Sequence, residues 1–231
     1  MFFILISGCS DPVEYTDNTT EEDPNTYGQI RFIHSASSTS NIDVAYRDLV
    51  DKSFYTYTYD AVYGNQYGYS TFISGKREFR IYIPNTNTFI ADCKFDLEED
   101  QIYSLIAFDY EAALDTNIMV IRDTVTDVQN GFALLRMIHL CSDIDAVFIG
   151  EKDSTETLAE LDHLERSAYM NLPARTYRFN VRSKASGEVL QNLEPVTLQS
   201  GLIYTGILSG SVSDLTPIEL NMIFYIDTSI R

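Results

Sequence analysis

Three histidines, three cysteines and 34 carboxylates are the residues of this chain that could do chemistry. Histidine serves in acid–base catalysis and in metal binding, so His34 and His139 are the first candidates. Each closes the same short motif, Arg31-Phe32-Ile33-His34 and Arg136-Met137-Ile138-His139. A residue that every domain needs in order to fold recurs in this way. Arg31, His34, Arg136 and His139 therefore read as structural anchors, each imidazole hydrogen-bonded to nearby backbone because buried polar groups must be paired. His163, between Asp162 and Leu164, reads as solvated. Asp43 and Asp145 recur within Ile-Asp-(Val/Ala) and read as solvent-facing or turn-bonding. Calcium requires about six to eight oxygen ligands. Glu98-Glu99-Asp100 could supply some, but the matching place further on holds Gln199-Ser200-Gly201, so the acidic run reads as a charged turn. No metal or other cofactor is expected. The chain lacks Gly-x-Ser-x-Gly, His-Glu-x-x-His, Cys-x-x-Cys, Gly-x-Gly-x-x-Gly and a phosphate-binding Gly-Lys-Ser/Thr loop. Carboxylate pairs are too plentiful in so acidic a chain to mark a glycosidase.

Cys9 has a chemistry of its own. It follows the apolar run Met1 to Gly8, and Ile6-Ser7-Gly8-Cys9 resembles the lipobox of bacterial lipoproteins, where the chain is cut before the cysteine and its thiol carries a diacylglycerol. Residues 1–8 are then the remnant of a signal peptide. No Lys or Arg precedes the run, so the signal is expected to begin upstream of Met1. Residues 9–27 read as a lipidated tether, with six acids, no base and almost nothing to bury. Acid directly after such a cysteine also resembles a surface-export signal. Cys93 and Cys141 are expected to remain free or buried thiols, because they do not correspond between the two halves of the chain.

A length of 231 residues fits one large domain or two of about 100. With 45% hydrophobic residues a packed core is available, and 16 Tyr with 13 Phe favour sheet over helix. The formal net charge of -18 repels phosphate backbones, which argues against a nucleic-acid partner. No segment has the ~18 consecutive apolar residues of a transmembrane helix.

The chain repeats itself. Besides the Arg–His motif, Asn41–Tyr46 answers Asp143–Phe148, Tyr69–Phe72 answers Tyr169–Leu172, and Phe79-Arg80 answers Tyr177-Arg178. Ile102-Tyr103-Ser104 answers Ile203-Tyr204-Thr205, and Asn117 to Asp123 answers Asn221 to Asp227. Anchors in one order divide the chain into repeats at 28–128 and 131–231. Each reads as a run of short strands separated by turn signals such as Ser74-Gly75, Pro84-Asn85 and Ser200-Gly201, which is the pattern of a β-sandwich. Phe79–Ile83 and Tyr177–Val181 alternate cleanly, whereas Ile30–His34 alternates poorly. Leu158, Leu161 and Leu164 have helical spacing, so a strand with a short helical excursion is expected over Asp153–Glu165.

These anchors carry a family resemblance. Arg-x-Ile-His, Ile-Asp-Val, Tyr-x-x-Leu-Pro-Ala before Thr-Tyr-Arg-Phe, and Leu-x-x-Gly-x-x-Tyr-Thr are similar to domain-of-unknown-function family 4397, most fully over Tyr169–Val181 and Leu198–Thr205. The resemblance covers 28–231. It implies tandem, all-β, immunoglobulin-like sandwich domains of secreted or surface-anchored bacterial proteins, and it implies no activity and no catalytic residues. The family pattern has Gly where this chain has Arg175, which could force a non-Gly residue into a strained turn or alter the turn.

One feature belongs to the first repeat alone. Tyr55-Thr56-Tyr57-Thr58-Tyr59 would set three tyrosines on one face of a strand, and Tyr63, Tyr67 and Tyr69 follow. Tyr55, Tyr57, Tyr59, Tyr63 and Tyr67 are thus candidate ligand-binding residues for a protein or glycan, against the simpler reading that they pack in the core. The sequence favours a non-catalytic, lipid-anchored cell-surface module for adhesion, assembly or ligand binding. The alternative is a hydrolytic or glycan-processing accessory enzyme of the cell envelope.

Overall fold

β-Branched and aromatic residues in runs of about eight, each ended by a turn residue, give this chain its strands. The computed structural model describes residues 26–48, 53–86, 88–110, 115–123, 127–154, 156–213 and 218–227. The Cys9 lipidation site and the acidic stretch as far as Asn25 lie outside the described residues. The fold is all-β, with pairs of four-stranded sheets arranged as two sandwiches. The first repeat contains β1 (Tyr27–His34), β2 (Asn41–Asp48), β3 (Tyr55–Val62), β4 (Gln66–Ile73), β5 (Gly75–Tyr82), β6 (Phe89–Leu97), β7 (Ile102–Tyr110) and β8 (Asp115–Asp123). The second contains β9 (Phe132–His139), β10 (Ala146–Glu151), β11 (Thr157–Asp162), β12 (Met170–Pro173), β13 (Thr176–Tyr177), β14 (Phe179–Ser183), β15 (Val189–Asn192), β16 (Val196–Thr197), β17 (Ile203–Ser209) and β18 (Asn221–Ile226).

The strand orders match. The first repeat has sheets β4-β1-β7-β8 and β3-β2-β5-β6, and the second has β12-β9-β17-β18 and β11-β10-β14-β15 with a short two-stranded sheet β13-β16. In each, the first strand runs parallel to the late strand beside it, and equivalent residues face one another. Arg31 is opposite Ser104 and His34 opposite Ala107, while Arg136 is opposite Thr205 and His139 opposite Leu208.

Three apolar clusters define four layers. Ile30, Phe32, Leu105 and Ile118 pack with Val44, Phe79 and Ile81 inside the first sandwich. Leu135, Met137, Leu208 and Met222 pack with Val147, Ile149 and Phe179 inside the second. The third cluster joins the repeats: Ile33, Ile106, Phe108, Met119 and Ile121 meet Ile138, Leu140, Ile207 and Tyr225. The sheets holding β1 and β9 are thus central, and the other two four-stranded sheets face outward. This explains the poor alternation of Ile30–His34. Both faces of that strand are covered, so it needs no polar side.

One local expectation is corrected, and one open alternative is decided. Asp153–Glu165 contains no helical excursion. β11 pairs along its length with β10, which sends Ala159 and Leu161 into the core. Leu164 sits in the following turn at φ 68° and packs at the joint between the repeats. Pairing with a neighbouring strand overrides the weak helical signal of three spaced leucines. At the second site, Gly75 adopts φ 112°, but Arg175 is not among the residues of positive φ. Its guanidinium instead stacks 3.9 Å from the centre of the Tyr177 ring and grips Glu151 through both carboxylate oxygens.

Candidate functional site

The polar centre of the molecule lies between the two central sheets. Arg31, Ser104 and Asp123 project from β1, β7 and β8 on the side away from their own sandwich core, and Arg136, Thr205 and Asp227 do so from the second repeat. Arg31 donates from Nε to Ser104 at 2.7 Å and from Nη2 to Asp227 Oδ1 at 2.6 Å. Reciprocally, Arg136 donates from Nε to Thr205 at 2.9 Å and from Nη2 to Asp123 Oδ1. Tyr69 donates its hydroxyl to Asp123 at 2.6 Å and Tyr169 to Asp227 at 3.0 Å. The guanidinium carbons of Arg31 and Arg136 lie 5.1 and 5.0 Å from the centres of the Tyr69 and Tyr169 rings. Each repeat therefore neutralises the other's arginine through an approximate two-fold relation. Burial opposes the charge on both guanidiniums, but the facing carboxylates outweigh it and raise both pKa values. Burial and the adjacent carboxylate raise the Tyr69 hydroxyl's pKa as well.

The histidines close the ends of β1 and β9. His139 is fully buried, with Nε2 3.0 Å from the Ile144 carbonyl and Nδ1 accepting from Cys141 N–H. His34 is equally buried and accepts from Ala36 N–H, with the Tyr63 ring edge-on at 6.0 Å. Burial lowers both imidazole pKa values to about 4. His163 is half-buried rather than solvated, and its ring lies 5.8 Å from that of His139. Cys93 and Cys141 are free and buried, and the Cys141 thiol donates to Asp143. Asp143 also accepts from Ser211 and from both Ser213 groups. Burial works against its charge, but these donors hold its pKa near 2. Asp43 accepts from the Asp60 amide. Among the described residues no group of three or more His, Cys, Asp or Glu is placed to hold a metal ion, and no helix is long and apolar enough to cross a membrane.

The tyrosine segment does not form one face. Register shifts opposite Ile42–Val44 and Val44–Ala45 leave an extra residue in β3 at two places, between Thr58 and Ala61 and between Thr56 and Thr58. Each bulge breaks the two-residue alternation that would align Tyr55, Tyr57 and Tyr59. Tyr57 turns inward against Phe32, Phe72 and Phe79 and donates to the Ile30 carbonyl at 3.2 Å. Tyr67 packs on Phe32 and accepts from Val62 N–H. Tyr63 reaches the second repeat, with its hydroxyl 2.8 Å from Ser209 Oγ. Tyr55 remains 48% exposed and Tyr59 72% exposed.

A different surface carries the built aromatic layer. On the outward face of β2, β5 and β6, the Glu78 carboxylate is fully buried. Arg47 holds it from Nε and Nη2 at 2.9 and 2.6 Å, Arg80 from Nε at 2.7 Å, and Lys94 lies at 4.0 Å. Burial disfavours the Glu78 charge, but these cations outweigh it and lower its pKa. Phe54 covers Arg47 and Arg80 at 4.6 and 4.4 Å, and Arg80 also lies 5.4 Å from the Phe89 ring. Phe89 is 48% exposed and meets Tyr82 edge-on. These residues escape a reading of the sequence because they come from three strands and a loop. Their signal is charge at outward positions of neighbouring strands, which is visible only once register is known.

The model of the family described as Domain of unknown function (DUF4397) matches residues 28–150, more than half of the chain. The chain belongs to that family. The DUF4397 match runs through all eight strands of the first repeat and across the joint into β10. No curated protein matches the chain. Among solved structures, the Bacillus anthracis TIE protein is 11% identical, with 85% of this chain and 35% of that one covered, at a TM-score of 0.26. The chain thus spans about a third of that protein. A family CBM26 module from Eubacterium rectale Amy13K, in complex with maltoheptaose, is 6% identical over 88% of this chain and 98% of its own, at a TM-score of 0.26. The tip fimbrial protein Mfa3 of Porphyromonas gingivalis is 9% identical over 87% and 98%, at a TM-score of 0.25. At this level of likeness none of the three bears on what this DUF4397 chain does.

Proposed function

We propose that this protein is a non-catalytic binding module of the bacterial cell surface, anchored through a lipid on Cys9 and made of two DUF4397 domains, over 28–128 and 131–231. Its partner is a surface protein or glycan. The observation that supports this best is the outward layer of Phe54, Arg47, Arg80 and Phe89 over the buried Glu78. That layer lies outside the sandwich core, so the core does not require it. Aromatic rings and arginine are the side chains that interfaces favour. Here the guanidiniums are already locked onto Glu78 and clamped by rings, so little side-chain entropy remains to be lost on binding. The polar groups best suited to catalysis are engaged elsewhere: His34 and His139 on backbone, and the arginine–aspartate quartet in joining the repeats.

The test is glycan-array and pull-down binding with the chain from Cys9 onward, followed by Phe89→Ala. Loss of about 1–2 kcal/mol of affinity, roughly tenfold, with an unchanged melting temperature supports the reading. Equal binding by both proteins would remove this face from the site. The anchor is tested separately by mass spectrometry of the N-terminal peptide, where an unmodified Cys9 refutes lipidation.

A further inference from the structure

The joint between the repeats departs from its two-fold relation beside the arginines. In the first repeat Gln66 faces Ile33 across β4 and β1, and its Oε1 accepts from Arg31 Nη1 at 3.1 Å. In the second repeat the residue facing Ile138, the counterpart of Ile33, is Arg166. Pairing opposite equivalent residues puts Gln66 and Arg166 on the same side of their sheets. Where one half of the joint has a carbonyl oxygen, the other therefore has a second guanidinium.

The hydrogen bonds agree with this. Buried Arg136 uses Nε on Thr205 and Nη2 on Asp123. Among the described residues, its Nη1 has no acceptor, and Arg166 has neither an acceptor nor an acid within ion-pair distance. The joint then holds Arg31, Arg136 and Arg166 against Asp123 and Asp227, a surplus cation in a chain of 34 acids and 16 bases. Partial burial, and next the Arg136 charge, lower the Arg166 pKa, a repulsion that a bound anion would relieve. Arg166 is exposed, so its side of the joint opens to solvent.

We propose that Arg166 and Nη1 of Arg136 form a binding site for a carboxylate supplied from outside the chain. The first repeat shows which atom suits the position, since Gln66 puts an sp² oxygen there. The surplus charge requires that oxygen to be anionic, and guanidinium forks match carboxylate geometry. This site is separate from the outward aromatic layer and does not rest on the binding-module reading.

The experiment is calorimetric titration of the full chain with sodium acetate and with galacturonate, at ionic strength held constant by chloride. A single site is expected, with a matching rise in melting temperature by linkage. Equal affinity for the two ligands assigns a free carboxylate. At least about tenfold tighter binding of galacturonate, or 1.4 kcal/mol, assigns a carboxylate carried on a sugar. Arg166→Gln rebuilds the arrangement of the first repeat and should retain cooperative melting while binding at least about tenfold more weakly. Gln66→Arg should create a second site and raise the stoichiometry from one to two. No heat beyond the chloride control, equal affinity in Arg166→Gln, or a stoichiometry of one in Gln66→Arg would each overturn the proposal.

Discussion

Toward the joint, the first repeat sets Arg31, Ser104, Tyr69 and Asp123 where the second sets Arg136, Thr205, Tyr169 and Asp227. On the outward sheets that correspondence ends. The first repeat builds Phe54, Arg80 and Phe89 over Glu78. The second instead sets Phe148 opposite Glu160 and Arg182, with Lys184 paired to Glu160 at 2.9 Å and Asp162 at 3.1 Å. The side chains that repeat are those with which one copy meets the other. What each sandwich needs internally is a set of apolar volumes, which tolerates substitution. A reciprocal ion quartet tolerates almost none, so it survives as identical residues.

The comparison breaks most severely at Asp123 and Asp227. Each carboxylate is buried and accepts from an arginine of the other repeat. Removing one leaves a guanidinium buried without its counter-ion, a loss of about 3–5 kcal/mol. Asp123→Ala and Asp227→Ala should therefore destabilise the chain by similar amounts in urea unfolding. The double variant Arg31→Met, Asp227→Leu should lose less than Asp227→Ala, because it leaves no unpaired charge. A loss below about 1 kcal/mol for either single variant would mean that the apolar cluster alone holds the repeats together.

The histidines sharpen the comparison through pH. Burial lowers the pKa of both His34 and His139 from 6.5 to about 4. The unfolded chain therefore takes up protons that the folded one refuses. Stability is complete above pH 6.5 and falls progressively as pH drops toward 4, by a few kcal/mol on the order expected for two such groups. Asp143, whose pKa is lowered from 3.8 to about 2, acts in a lower window. Its contribution is present above pH 3.8 and is lost as pH falls to 2. Urea midpoints measured from pH 8 to 3 check this. His34→Gln and His139→Gln should each remove part of the upper step and leave the lower one in place.

Much of the fold could be read from the sequence because its two copies constrain each other. Arginine and histidine recurring inside apolar strands marked the anchors, and turn residues marked the ends of strands. Their partnership across the joint could not be read, because repetition gives equivalence and not contact. The weak alternation of Ile30–His34 did carry that information, since a strand covered on both faces has no polar side. The tyrosine face failed for a local reason. Alternation predicts a shared face only while register is unbroken, and nothing in Tyr-Thr-Tyr-Thr-Tyr announces two bulges on the pairing with β2. The outward aromatic layer was hidden by its origin in separate strands.

The smallest expected effect tests those bulges directly. Tyr57 and Tyr59 are two residues apart on β3, and a regular strand would give them one environment. The bulged strand turns Tyr57 toward Phe32, Phe72 and Phe79, and leaves Tyr59 72% exposed with its hydroxyl accepting from Thr56 Oγ1 at 2.8 Å. Tyr57→Ala should open a cavity among aromatic rings and cost about 2–4 kcal/mol, toward the lower side of the range for fully buried aromatics because Tyr57 is only partly enclosed. Tyr59→Ala should change stability by no more than about 0.5 kcal/mol, since a surface ring supports little of the core. Parallel urea titrations measure both. Equal losses would restore a single tyrosine face and abolish the distinction between inward and outward positions on which the choice of Phe54, Arg80 and Phe89 depends. A neutral Tyr59→Ala beside a costly Tyr57→Ala would leave Tyr59 free to serve binding, and its variant would then be the right probe for whether the aromatic surface of the first repeat extends beyond Phe54 and Phe89.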